Sequence, residues 1–459
     1  MAKRHVIIGA GPAGINAMTA IRELESEDSE ITLITNEHAY SRMVLPYYIA
    51  GEIEEGQVNV GNDEYFEKLN VKTIFGKRVE SIDSSGNKVT LDDGSTVDYD
   101  DLLIATGSSA AGLSVEGAGL EGVTNLWTLA DANALLDVAN GADTEAVFIG
   151  AGFIGFIILN AAYKAGWKLS VVEVEDRVLP RMLDDTGAKA VEDWLGRQGV
   201  GVHTGTKVTA IEESGGKKIV KLDDGGEISA DVVVMATGIK ANLGLVDGSG
   251  IETNQGIQVD DHMRTNIDNI YAAGDIAEGP DLSTGEKAVH AIQPTAVEHG
   301  KVAGANMAGK DVTYWGSLLI NILDICKLQC ASYGLWGEDG DVTVVHNDAR
   351  PVYRKLVWDD DVITGAIFVG PANDIAMLND LGMVKGLIQT KSALGPWKKY
   401  LEENPLDIRR PYVASKAASK LLKMTITGQA SSERGYRHNS LQPDPNAGTS
   451  HAVYVKHHK

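Results

Sequence analysis

The chain has 459 residues, room for about three domains of roughly 150 residues each, so it is not a single small binding module. Hydrophobic residues make up 43% and charged residues 23%, which argues against a mostly disordered or fibrous protein. A net charge of −23, from 41 Lys and Arg against 64 Asp and Glu, disfavours nucleic acid or an anionic membrane as the main partner. Glycine is over-represented at 51 residues, a sign of many tight turns and close backbone approaches that suits a nucleotide binder. The only cysteines, Cys326 and Cys330, are too few for a disulfide framework or for the four thiolates of an iron–sulfur cluster, so a reducing cytoplasm is expected. Residues 1–5 lead straight into a strand-like segment and no window approaches eighteen apolar residues, so neither secretion nor a membrane span is expected.

The chain opens as strand, turn and helix. His5 to Ile8 is apolar and β-branched, Gly9-Ala10-Gly11-Pro12-Ala13-Gly14 turns, Ile15 to Leu24 has helical composition, and Ile31 to Thr35 reads as a second strand. The same grammar recurs at Ala146 to Ile149, Gly150-Ala151-Gly152-Phe153-Ile154-Gly155, a helix to about Ala165, and a strand from Leu169 to Val174. Each unit continues into strands with an acidic Gly turn, at Asp92-Asp93-Gly94 and Asp223-Asp224-Gly225, and closes on an apolar strand, Asp101 to Gly107 and Asp231 to Gly238. An internal duplication spaced by 130 to 140 residues makes coincidence improbable. From about Tyr314 strands and tryptophans predict a separate α+β domain, followed by a helix over 414–424 and, beyond Thr427, a polar tail opposite in sign to the body.

In a βαβ unit the first two glycines of G-x-G-x-x-G let backbone approach a pyrophosphate, and the third lets helix pack on strand. Both copies here stand between an apolar strand and a helix, so two dinucleotide sites are expected. An acid near the end of the second strand takes the adenosine ribose hydroxyls. Glu173 fits the second site and favours NAD over NADP, with Arg177 nearby moderating that preference; for the first site Glu37 is the candidate and Asn36 its rival.

With Ala105-Thr106-Gly107, Ala236-Thr237-Gly238 and Asn269-Ile270-Tyr271-Ala272-Ala273-Gly274-Asp275 added, residues 3 to about 400 resemble the FAD-dependent pyridine nucleotide–disulfide oxidoreductase superfamily. The resemblance implies an α/β protein of the glutathione-reductase type with two Rossmann-like domains and a C-terminal α+β interface domain. FAD-binding parts would fall at 1–113 and 248–314, the NAD-binding domain at 114–247, the interface domain at 315–400, and a helix and tail at 401–459. It implies FAD contacts from Gly9, Gly11, Pro12, Ala13, Gly14, Glu37, Arg42, Val79, Ala105, Thr106, Gly107, Gly274, Asp275, Gln293 and Pro294, with Asp275 on the ribityl chain. NAD(H) contacts would come from Gly150, Gly152, Phe153, Ile154, Gly155, Glu173 and Gly238. No catalytic side chain and no metal are expected, because the flavin carries the reactivity.

Two departures from the superfamily narrow the chemistry. Met43 stands where thiol-using relatives have a redox cysteine, and a thioether forms no thiolate, flavin adduct or mixed disulfide. The Tyr40-Ser41-Arg42 run is instead similar to the NADH-dependent ferredoxin, rubredoxin and nitrite reductase branch. Ile157 replaces the glutamate usual beside the nicotinamide carboxamide. Cys326 and Cys330, four apart, are expected on one face of a helix or strand as buried apolar residues. The expected function is electron transfer between NAD(H) and an iron–sulfur protein or subunit, with this chain as the flavin subunit of a larger complex. Segment 150–160 looks similar to FAD subunits of tungsten aldehyde oxidoreductases and phenylglyoxylate-type dehydrogenases. The alternatives are a free-standing NADH:rubredoxin or ferredoxin reductase or NADH oxidase, and a structural FAD-containing subunit without hydride transfer.

Overall fold

The computed structural model describes residues 2–25, 29–337, 340–347 and 349–424, so the polar tail lies outside the described residues. The first unit begins with β1 (Arg4–Ile8), α1 (Pro12–Glu25), β2 (Glu30–Thr35), β3 (Val71–Phe75) and β4 (Asp101–Ile104). β1 pairs in parallel with β2 on one side and β4 on the other, Ile7 standing opposite Leu33 and Leu103, all fully buried. That burial on both faces explains why these strands read as continuous Val, Ile and Leu. The acidic Gly turn after Leu91 closes the hairpin between Lys88–Leu91 and Thr96–Asp98 of a separate three-stranded sheet, as its sequence predicts.

The second unit repeats the design with β5 (Val123–Thr124), α2 (Leu129–Val138), β6 (Glu145–Ile149), α3 (Phe153–Lys164), β7 (Lys168–Val172), α4 (Asp185–Arg197), β8 (Gly201–His203) and β9 (Val232–Met235). Its sheet runs β8-β7-β6-β9-β5. The chain then returns to the first sheet through β10 (Ile270–Ala272), which lies beside β4 and completes the order β10-β4-β1-β2-β3. Each sheet has its glycine-turned strand at the centre, where the order reverses, and that crevice is where open α/β sheets bind ligands.

α5 (Gln293–Met307) lies on α1 at very short range: a Cβ on Gly300 would stand 2.2 Å from the Ala13 carbonyl oxygen, and one on Gly304 2.4 Å from that of Ala17. This contact carries Gln293 and Pro294 to the N-terminal end of α1. The last sheet is antiparallel, ordered β11-β12-β15-β14-β13, from β11 (Ile320–Ile325), β12 (Leu328–Gly334), β13 (Asp341–Asn347), β14 (Val352–Asp359) and β15 (Val362–Pro371). One face packs on α3 and α4; the other is covered by α6 (Ile375–Gln389), followed by α7 (Trp397–Glu403), α8 (Arg409–Ala414) and α9 (Ala417–Lys423).

Two expectations are corrected. The single helix over 414–424 is broken, because Lys416 adopts φ 55°, a left-handed conformation that ends α8 and starts α9. Cys326 is not on a strand face with Cys330: it occupies the turn between β11 and β12 at φ 50°, its N–H held by Asn160 Oδ1 at 2.9 Å, while Cys330 lies within β12. Both thiols are fully buried, and burial pushes Cys326 up to about 12, as expected of buried apolar cysteines.

Candidate functional site

The two glycine turns are superimposable in their constraints. Gly9 and Gly150 adopt φ 107° and 103°, and a Cβ on them would stand 2.3 and 2.5 Å from the carbonyl oxygens of Ala105 and Ala236. Only glycine fits, because the turn must press against the neighbouring strand end. A Cβ on Gly14 or Gly155 would stand 1.9 or 2.5 Å from the carbonyl oxygen of Gly9 or Gly150, so the third glycine in each copy seats the helix on its strand. A Cβ added to Gly11 or Gly152 would meet nothing within 4 Å, leaving their backbone free for a ligand.

Both turns open on one cavity of about 2060 Å³. Of the residues singled out in the sequence, it is lined by Gly9, Gly11, Pro12, Ala13, Glu37, Arg42, Val79, Ala105, Thr106, Gly107, Gly274, Asp275, Gln293 and Pro294, and by Gly150, Gly152, Phe153, Ile154, Glu173 and Gly238. Gly14 and Gly155 lie behind the wall, in keeping with their packing role.

Charged groups are spaced around this cavity by short side-chain relays. The Asp275 carboxyl accepts from Ser108 Oγ at 2.7 Å, and the Ser108 carbonyl accepts from Trp127 Nε1 at 2.9 Å. The Arg42 guanidinium stands 5.5 Å over the Trp127 ring and pairs with Glu37 at 2.9 Å. Burial pushes Asp275 above the usual carboxylate range, with the Ser108 hydroxyl and the Arg42 charge opposing. Glu37 also accepts from the Tyr40 hydroxyl, so Arg42 and Glu37 enter the cavity as one positioned pair.

At the second turn Glu173 is buried at the end of β7, one oxygen accepting from the Ala151 N–H at 2.6 Å and the other from the Glu175 N–H at 3.0 Å. It therefore braces the glycine turn while presenting its remaining lone pairs to the cavity. Arg177 is drawn towards Asp176 and Asp185, at 3.0 and 3.3 Å, and its Nε has no partner among the described residues. Ile157 lines the wall and supplies no hydrogen bond to a bound amide. Met43 also lines the cavity, with Cys326 and Cys330 absent from its wall.

Sequence reading missed several wall residues. Ser108, Asn125, Trp127 and His290 belong to no motif, and Leu319 to Ile322 reach the cavity only because β11 is the edge of the last sheet. His290 Nε2 lies 2.9 Å from Asp281 Oδ2, both buried. Burial works against ionisation of Asp281, yet His290 and the N–H groups of Thr284 and Ser283 hold it below the usual range. Thr106 Oγ1 and Asn125 Oδ1 are buried on this wall without partners among the described residues, and unpaired polar atoms beside a large cavity are what a bound polar cofactor would satisfy.

Residues 3–298 match the pyridine nucleotide-disulphide oxidoreductase family, and the chain belongs to it. It is 30% identical over 418 residues to the NADH-dependent phenylglyoxylate dehydrogenase subunit epsilon of Aromatoleum evansii, covering 89% of this chain and 96% of that one. Over 372 residues it is 30% identical to the NADH-rubredoxin oxidoreductase of Clostridium acetobutylicum, covering 80% and 90% of the two chains. The reductase in the covalent putidaredoxin reductase–putidaredoxin complex superimposes with a TM-score of 0.82 at 25% identity, over 91% of this chain and all of that one. The protein is thus an NAD(H)-linked oxidoreductase with FAD and NAD(H) as its cofactors, and the glycine cradles and orphaned polar atoms fit both dinucleotides.

Proposed function

We propose that this chain passes electrons between NAD(H) and an iron–sulfur protein partner, as the flavin subunit of a larger cytoplasmic oxidoreductase complex. The observation that carries the reading is a single cavity walled by both glycine turns and by Met43, with the two thiols buried elsewhere. A disulfide or peroxide substrate would have no thiolate to attack it there. FAD supplies the ability to take two electrons as hydride and release them singly.

The residues have positional work. The N-terminus of α1 and the Gly11 backbone hold the FAD pyrophosphate, Glu37 or Asn36 the adenosine ribose, and Asp275 the ribityl hydroxyls, with Arg42, Val79, Thr106, Gly107, Gln293 and Pro294 around the remainder. The N-terminus of α3 and Glu173 hold NAD(H). With Ile157 in place of an acid, the carboxamide is oriented by backbone groups or by packing alone. With domain boundaries near 113, 247 and 314, the residues of both dinucleotide folds would face each other across the one cavity, where the two cofactors would be held.

Anaerobic addition of NADH to the purified yellow protein tests hydride transfer directly: the oxidised flavin absorption should bleach. Flavin that stays oxidised would leave only a structural role. Mild purification from the native host should yield iron–sulfur subunits bound to this chain, and a clean homodimer with fast rubredoxin, ferredoxin or oxygen reduction would favour a free-standing enzyme.

A further inference from the structure

We infer that α8 and α9, on the outer side of the last sheet, form a cationic docking surface for an acidic protein, and that it is how an iron–sulfur partner is held. The inference rests on the partner class proposed above. The chain carries −23 overall, but residues 409–424 hold five Lys or Arg and no Asp or Glu. Lys420 and Lys423, three apart, form a stripe on one face of α9, and Lys416 precedes them as the left-handed residue that starts the helix.

The stripe is anchored to the body. α8 and α9 meet α6 at Gly386, where a Cβ would stand 3.0 Å from Tyr412 and 3.1 Å from Leu421. Lys420 Nζ donates to Ser392 Oγ at 2.9 Å, which brings the neighbouring Lys391 to the same surface. Lys391, Lys416 and Lys423 are exposed and make no ion pair among the described residues, whereas Lys77, Lys164, Lys217 and Lys221 elsewhere are paired. Val413, 67% exposed on α8, adds an apolar contact.

Charge selects the occupant. Residues 427–459 carry four Lys or Arg against two acids, the same sign as the stripe, so the chain's own tail does not neutralise it. A long polyanion would run on to the acidic remainder and be repelled, whereas a compact acidic protein surface is attracted over the patch alone. The last sheet also frames the cavity through β11, so a partner held on its outer helices stays tethered beside the flavin domain.

The test uses the full-length, FAD-loaded chain and an acidic [2Fe–2S] ferredoxin as probe, with duplex DNA and phosphatidylserine vesicles as competitors. The double substitution Lys416→Glu/Lys423→Glu should weaken ferredoxin binding about tenfold at low salt, Lys416→Arg/Lys423→Arg should preserve it, and added salt should erase the difference. Melting temperature and flavin content of each variant report folding. No ferredoxin binding, an affinity indifferent to the reversal, or tighter reversal-sensitive binding of DNA or vesicles would overturn the docking surface; so would self-association abolished by the reversal. Reduction of ferricyanide by NADH, measured alongside, reads the hydride-transfer proposal independently and should be equal in wild type and variants.

Discussion

The two dinucleotide folds share strand order, glycine turn and turn geometry, yet among the described residues the first is capped along its length by the long helix α5, whereas the second meets only the short helix Leu45–Ile49. α1 is pressed beneath α5, carbonyl against glycine, so the first turn becomes a floor closed by Gly274, Asp275 and Gln293. α3 instead packs its far side against β11 and leaves Phe153, Ile154 and Ile157 on an open wall. On the proposed assignment, the covered fold would keep FAD and the open one would let NAD(H) come and go. What differs is the covering, not the turn.

The contrast breaks most sharply at the helix contact. Gly300→Leu would drive a side chain into the Ala13 backbone, which cannot yield as a flexible side chain does. Loss of stability should be about 3 kcal/mol or more, with FAD lost before NADH binding, read by calorimetry and by flavin absorbance. The turns themselves should separate next. Gly9→Ala and Gly150→Ala carry nearly equal strain at φ 107° and 103°. The first should yield protein poor in FAD; the second should retain FAD while NADH bleaches it about tenfold or more slowly. Equal flavin loss in both would mean that the covering does not distinguish the folds.

A smaller effect sharpens the role of the buried pair behind the first fold. Asp281 is held below its ordinary value of 3.8 in the folded state, so its stabilising contribution is present above that value and fades as pH falls through the lowered one. Asp281→Asn should lower the melting temperature at neutral pH and make acid unfolding below about pH 4 less steep. A melting temperature shifted equally at every pH would deny the linkage.

The glycine turns and the missing redox cysteine were readable because each places a demand that one residue type satisfies: φ near +105° against a carbonyl, or a sulfur able to ionise. The capping helix was readable only as a helix. Its seat on α1 depends on Gly300 and Gly304 meeting Ala13 and Ala17, residues nearly 290 positions away that show no pattern locally. Trp127 and Ser108 were illegible for the same reason, since they meet Arg42 and Asp275 only when distant segments converge, whereas the His290–Asp281 pair closes locally across a hairpin and carried no motif. Lys416 shows the opposite failure: local composition favoured an unbroken helix, and packing of α8 and α9 on α6 overrode it.

The smallest expected change lies on the second fold, and it separates glycines that are required from one that is merely present. Gly196 lies in α4, exposed, with nothing within 4 Å of an added carbon and no left-handed backbone. Gly196→Ala should therefore stabilise the protein by about 0.5–1 kcal/mol, because alanine restricts the unfolded chain and meets no obstacle in the folded one. Chemical denaturation measures this as a higher midpoint at unchanged slope. A destabilised Gly196→Ala would mean that α4 faces something not seen in the single chain, and a subunit packed against that helix would be the physical candidate.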